Sequence, residues 1–112
     1  MASPEEKTKA ARNQMLFRSV NERIHEVSDG GVPANETTSF LCECADTSCM
    51  KTLDLTAAEY ESAHSLPTYF PILPGHEWPD VERVVERHDG YIVVEKLGEA
   101  AATVEAEERA VE

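Results

Sequence analysis

Apolar and polar residues alternate along this chain with two periods, and the switches between them mark its elements. Between about Pro4 and Val27, the residues Phe17, Val20, Ile24 and Val27 recur at steps of three and four, and Leu16 widens the stripe. This is the spacing of one helix face, so a long amphipathic helix is predicted with that stripe turned to the core. Arg12, Asn13, Arg18, Asn21, Glu22, Arg23 and Glu26 fill its other faces and are expected to be solvated. Ser28-Asp29-Gly30-Gly31 ends the helix, with glycine where a left-handed cap would sit. From Thr37 to Cys42 the pattern suits a short strand anchored by Phe40. Thr52-Leu53-Asp54-Leu55 alternates and reads as the returning strand of a hairpin. Thr56-Ala57-Ala58-Glu59 has the form of a capping box and opens a second, short helix that Leu66-Pro67 ends.

Tyr69 to Leu73 reads as a third strand, in which Pro71 points to an edge position or a bulge. From Val81 to Leu97 two periods compete. Val81, Val84, Val85 and His88 have helical spacing, but the β-branched residues on either side of Asp89-Gly90 favour a hairpin. Gly98 to Glu112 is rich in alanine and glutamate and shows no convincing apolar face, so it is expected to be an acidic, disordered tail. The organisation expected is a flexible N-terminus over 1–11, one domain over 12–97 and the tail over 98–112. The fold class expected is α+β: a long N-terminal helix, a small, mostly antiparallel sheet and a second short helix.

The composition narrows the function. The chain has 112 residues, a hydrophobic share of 41% and a net charge of -12. A surface that acidic argues against binding nucleic acid or an anionic membrane, because both need a positive field. It is compatible with metal cations, with basic protein partners or with simple solubility. No apolar run approaches a membrane span, and Met1 to Arg12 has no apolar signal region, so a reducing cytoplasm is the expected compartment. Asn35-Glu36-Thr37 then matches a glycosylation acceptor by chance.

All three cysteines lie in one stretch, Cys42-Glu43-Cys44-Ala45-Asp46-Thr47-Ser48-Cys49, with spacing C-x-C-x4-C. In a reducing compartment, clustered cysteines are metal ligands or redox groups more often than disulfides, and an odd number fits no closed disulfide set. Zinc takes thiolate and imidazole ligands at tetrahedral angles. A turn of Ala, Asp, Thr and Ser can fold around the ion while its amides point at the sulfurs. A fourth ligand is needed. His76 is the first choice, in the turn-forming Pro74-Gly75-His76-Glu77 segment, and His88 is the alternative. His64 is expected to be solvated or to cap its helix, and His25 to be exposed. An iron–sulfur cluster fits less well, since it normally needs a fourth cysteine or a different spacing.

The cysteine spacing resembles the zinc-binding tail that follows the catalytic domain of SET methyltransferases. No methyltransferase motif accompanies it, so this resemblance implies metal geometry and not activity. Over most of its length the chain resembles an uncharacterised family of short actinobacterial proteins. The matching residues run from Arg12-Asn13-Gln14 and Val20 to Ile24 through Phe40, the Cys42 to Cys49 turn and Pro74 to Glu77. They continue through Val81 to Glu86 and Tyr91 to Lys96. That resemblance implies an organisation rather than an activity, since the family has no assigned one.

Three functions compete on the sequence. The first is a small non-enzymatic zinc protein, a regulatory or adaptor module that contacts another protein, with the first helix as the natural contact. The second is a thiol and zinc redox sensor, which exposure of the cysteine turn would favour. The third is a small zinc hydrolase, with Glu43 or Glu77 offered as the base. Three thiolates make zinc a poor Lewis acid, so the first is preferred.

Overall fold

The computed structural model describes residues 3–28, 31–46 and 48–111. The element order is α1 (Pro4–Ser28), β1 (Thr38–Leu41), β2 (Thr52–Leu55), α2 (Ala57–Ala63), β3 (Tyr69–Ile72), β4 (Glu82–Arg87), β5 (Ile92–Lys96) and α3 (Gly98–Val111). β1 and β2 form an antiparallel hairpin, and β3, β5 and β4 form a second antiparallel sheet in that order. The α+β class expected from the pattern is the observed one.

Local chemistry sets most of the boundaries. The Ser3 hydroxyl accepts the Glu6 N–H and opens α1 three residues into the chain. Thr56 and Glu59 form the expected capping box on α2, at 3.1 and 2.9 Å. Pro71 lies in β3, an edge strand, where its missing N–H interrupts no ladder. Asp89-Gly90 makes the β4–β5 turn, closed by the His88 N–H donating to Tyr91 O at 2.9 Å. Gly90 takes φ 87, which a side chain would resist. Val85 is the extra residue of a bulge, since Val84 faces Val94 and Glu86 faces Val93. The glycine cap expected at Gly30 lies outside the described residues.

Two expectations fail at the ends of the chain. The N-terminus expected to be flexible over 1–11 is helical from Pro4, and Ala10 and Ala11 are buried. The expected disordered tail is α3, which packs against α1. Ala11 and a fully buried Val104 share one core cluster. One buried valine among small and acidic residues gives no apolar stripe, so the packing of this segment depends on the α1 face opposite it.

The third correction concerns α1. Its inward face is Gln14, Arg18 and Asn21, all at or below 4% exposure, while Leu16, Val20 and Val27 are 62%, 41% and 75% exposed. The helix is turned roughly 120° from the orientation its apolar stripe suggested. Ala11 belongs to one core cluster, and of the larger apolar residues Met15 and Ile24, on the flank, pack against the clusters.

Candidate metal centre

The cysteine turn is built by main-chain pairing. The Cys42 N–H donates to Lys51 O at 2.9 Å, which carries the β1–β2 ladder one residue further. The Glu43 N–H donates to Pro71 O at 3.1 Å and ties the turn to the edge of the second sheet. The Cys49 N–H donates to Asp46 O at 3.1 Å, and Asp46 Oδ1 accepts from the Ser48 amide and hydroxyl at 2.9 and 2.6 Å. These two bonds hold the Asp46 carboxyl below the usual carboxylate range, the hydroxyl most strongly. The turn chemistry expected of Asp and Ser is therefore present.

His76 arrives on a type II turn. The His76 N–H donates to Leu73 O at 3.1 Å, Pro74 takes the second position and Gly75 the third, at φ 88. The same turn serves the sulfurs, because the Leu73 N–H donates to Cys42 Sγ at 3.3 Å.

One candidate ligand atom from each of Cys42, Cys44, Cys49 and His76 lies within 4.8 Å of the other three. His76 Nδ1 is 3.7 Å from both Cys42 Sγ and Cys49 Sγ. A tetrahedral ion with Zn–S of about 2.3 Å and Zn–N of about 2.0–2.1 Å has S···N edges of about 3.6 Å. These two distances are those expected around such an ion, and the four donors are close enough together to bind one metal ion. Cys42 and Cys44 are buried and Cys49 is partly exposed. Beside the cluster, Cys44, Asp46, Gly75 and His76 line an open hollow of about 240 Å³.

Without a metal the thiols hold their protons unequally. The Cys44 thiol is drawn down to about 5, chiefly by a hydrogen bond from Cys42 and against burial, with His76 adding to the pull. That same hydrogen bond, followed by burial, pushes the Cys42 thiol up. Burial pushes the Cys49 thiol up, opposed by the Lys51 main chain. The arrangement favours a single thiolate among three sulfurs, and a cation would displace the remaining protons.

The other histidines are elsewhere. His88, the alternative ligand, pairs with Glu86 at 2.7 Å and stacks on Tyr91. His25 is not exposed as expected: its side chain is 20% accessible, stacked on Tyr60 and 3.3 Å from Glu61. His64 does cap α2, but it is not solvated. Its Nε2 lies 2.9 and 3.0 Å from the Glu43 carboxylate oxygens, and its Nδ1 lies 2.8 Å from Tyr60 O. Both partners are acceptors, so both contacts are hydrogen bonds only when the ring carries two protons or Glu43 carries one. A clean separation is expected between two variants: His76→Ala lowers zinc affinity by at least about tenfold, and His88→Ala leaves it unchanged. Competition titrations against a zinc-sensitive dye measure both.

Behind the cysteines lies a buried polar layer that the sequence reading missed. Glu43, fully buried between two ligands, turns its carboxylate away from them. It accepts from Asn21 Nδ2 at 2.7 Å and lies 3.8 Å from Arg18 Nε. Gln14 Nε2 donates to Glu43 O at 2.8 Å. Asn21 brackets Leu41, donating to its carbonyl at 2.9 Å and accepting its amide at 2.8 Å. Arg18 also donates to Pro67 O at 2.6 Å and to Tyr69 O, and its guanidinium sits 4.0 Å over the Phe70 ring. A second pair, Lys96 and Glu82 at 2.9 Å, is equally buried, and the Trp78 N–H donates to Glu82 at 2.6 Å. Burial pulls the Lys96 ammonium down, opposed by Glu82. A signal for the first part existed. Gln14, Arg18 and Asn21 recur at i, i+4 and i+7, a polar stripe as regular as the apolar one.

Fold and site together define a class: an α+β domain in which Cys42, Cys44, Cys49 and His76 lie close enough to bind one metal ion. No family model, curated protein or solved structure matches the chain. Among the described residues no helix is long and apolar enough to cross a membrane.

Proposed function

We propose that the protein is a small zinc-binding, non-enzymatic module of the cytoplasm that works by contacting other protein surfaces. The resemblance to the actinobacterial family is kept as part of this reading. The observation that carries it is the close approach of three thiols and one imidazole, which converge from the cysteine turn and the His76 turn with one donor atom of each within 4.8 Å of the others. Zinc is favoured by the donor set, since thiolate and imidazole together suit it better than they suit magnesium or calcium. The zinc would tie the β1–β2 hairpin to the end of β3 and so act as a staple.

The burial of Glu43 speaks against the hydrolytic alternative, because its carboxylate faces Asn21, Arg18 and His64 and not the cluster. Partial exposure of Cys49, and the hollow beside Cys44, favour a second reading as a redox sensor. In that reading two thiolates give two electrons to hydrogen peroxide. An S–S bond forms, the O–O bond breaks to two hydroxide ions, and zinc is released.

Metal analysis of protein purified without added metal tests the main reading. One zinc per chain is expected, with a large fall in melting temperature on chelation. No bound metal, together with no response to zinc or chelator, would sink it. Zinc release at low micromolar peroxide, with full recovery on reduction, would shift the balance to the sensor.

A further inference from the structure

The segment that carries His76 is held on both sides. Before the imidazole, the His76 N–H donates to Leu73 O at 3.1 Å. After it, the Trp78 N–H donates to Glu82 Oε1 at 2.6 Å. Trp78 follows His76 by two residues, at most about 7 Å of chain, so the second bond limits where the imidazole can stand. Trp78 O accepts the Val81 and Glu82 amides at 3.0 and 3.1 Å, which closes residues 78–82 into one turn at the start of β4.

The other carboxylate oxygen faces the second arm of the site. Glu82 Oε2 lies 2.9 Å from Lys96 Nζ and accepts from Gln14 Nε2 at 3.4 Å. The same Gln14 nitrogen donates to Glu43 O at 2.8 Å, between Cys42 and Cys44. Both of its partners only accept, so an amide N–H2 fits there and a carboxylate does not. Gln14, Glu82 and Lys96 are all at or below 3% exposure. Stability alone does not account for the charges, since an apolar pair of similar volume is often as stable as a buried ion pair, or more so. What an apolar pair lacks is an acceptor for the Trp78 N–H and for Gln14.

We propose that Glu82 is a positioning residue of the metal centre: it anchors the His76 segment through the Trp78 N–H and, through Gln14, sets that segment against the cysteine turn. Lys96 supplies the counter-charge that lets the carboxylate stand in the core. The proposal rests on the reading of the four donors as a metal site, and it names what aims the fourth of them.

Zinc competition titrations over a double-mutant cycle with His76→Ala test it. Glu82→Met with Lys96→Met removes both charges together and leaves no buried ion unpaired. This pair of changes should lower zinc affinity by about tenfold. In the His76→Ala background it should lower affinity by about threefold or less, because the imidazole that Glu82 aims is gone. An equal loss in both backgrounds would mean general support of the fold and overturns the proposal, as does an unchanged affinity. Glu82→Gln with Lys96→Met keeps an oxygen for the Trp78 N–H, so it should bind zinc within about threefold of the parent. Its cobalt(II) form should keep the parent's visible absorption. If the methionine pair does not fold, this variant decides: a loss as large as that expected of the methionine pair, or altered cobalt bands, overturns the proposal. A parent chain that binds neither zinc nor cobalt removes the metal reading as well. A parent that binds both, with variants that make no difference, removes only the role of Glu82.

Discussion

Cys42→Ser is expected to abolish tight zinc binding and to cost the domain most of its stability. Cys42 is 1% exposed and sits in the same core cluster as Phe70, Ile72, Ile92 and Val94. It accepts the Leu73 amide and lies 3.7 Å from the imidazole of His76. A serine hydroxyl is a poor zinc ligand at neutral pH and would be buried beside apolar side chains. Structural zinc sites release about 10–16 kcal/mol on binding, and a domain of this kind has about 5–15 kcal/mol of net stability. Losing the ion therefore removes an amount comparable with the whole. Thermal melting of the variant and the parent, each with and without chelator, measures it. The parent with chelator should approach the variant, and the variant should ignore the chelator. If both proteins melt within a few degrees of one another in all four conditions, no metal staples this fold. Cys49→Ser should lose less, since Cys49 is partly exposed and its turn is also held by Asp46 and Ser48.

The second large effect is expected at Glu43. Glu43→Ala leaves Asn21, His64 and Arg18 facing a gap where their acceptor was. Breaking a buried ionic group from one side costs about 3–5 kcal/mol. For a domain near this size that corresponds to a fall of roughly 15 °C or more in melting temperature. Glu43→Gln keeps the volume and one acceptor oxygen, so it should lose clearly less. Excess zinc distinguishes this variant from Cys42→Ser: the Glu43→Ala protein still binds metal, because its four donors are untouched, yet it stays destabilised. Adding Arg18→Met should cost less than the sum of the two single changes, because the partners are shared. Strict additivity would mean that the layer is not one network.

Both predictions rest on the same arrangement. The cysteine turn carries the candidate metal cluster on one side and is held from behind by polar side chains of α1 and by His64 at the end of α2. A residue between two ligands would often face solvent. Here its side chain is the hub of the buried layer, so the metal loop and the long helix are joined by hydrogen bonds rather than by apolar packing.

Local chemistry alone determined much of this. The capping box at Thr56 and Glu59, the Asp89-Gly90 hairpin and the turn at Asp46 each depend on residues a few positions apart. Those interactions exist wherever that short segment exists. The three thiols were legible for the same reason, and His76 was selected because Pro74-Gly75 aims the next side chain. The orientation of α1 was decided only by the tertiary structure. Its apolar and polar stripes are equally regular, and periodicity gives two faces without saying which one is inward. What turned Gln14, Arg18 and Asn21 inward is two carboxylates and four main-chain carbonyls, on segments between 20 and 68 positions along the chain from their partners on the helix. Likewise α3 packs against α1 through the fully buried Val104, which shares a core cluster with Ala11, a fit that neither segment shows by itself. Polar burial and small-residue packing depend on what lies opposite, and only the folded chain supplies that.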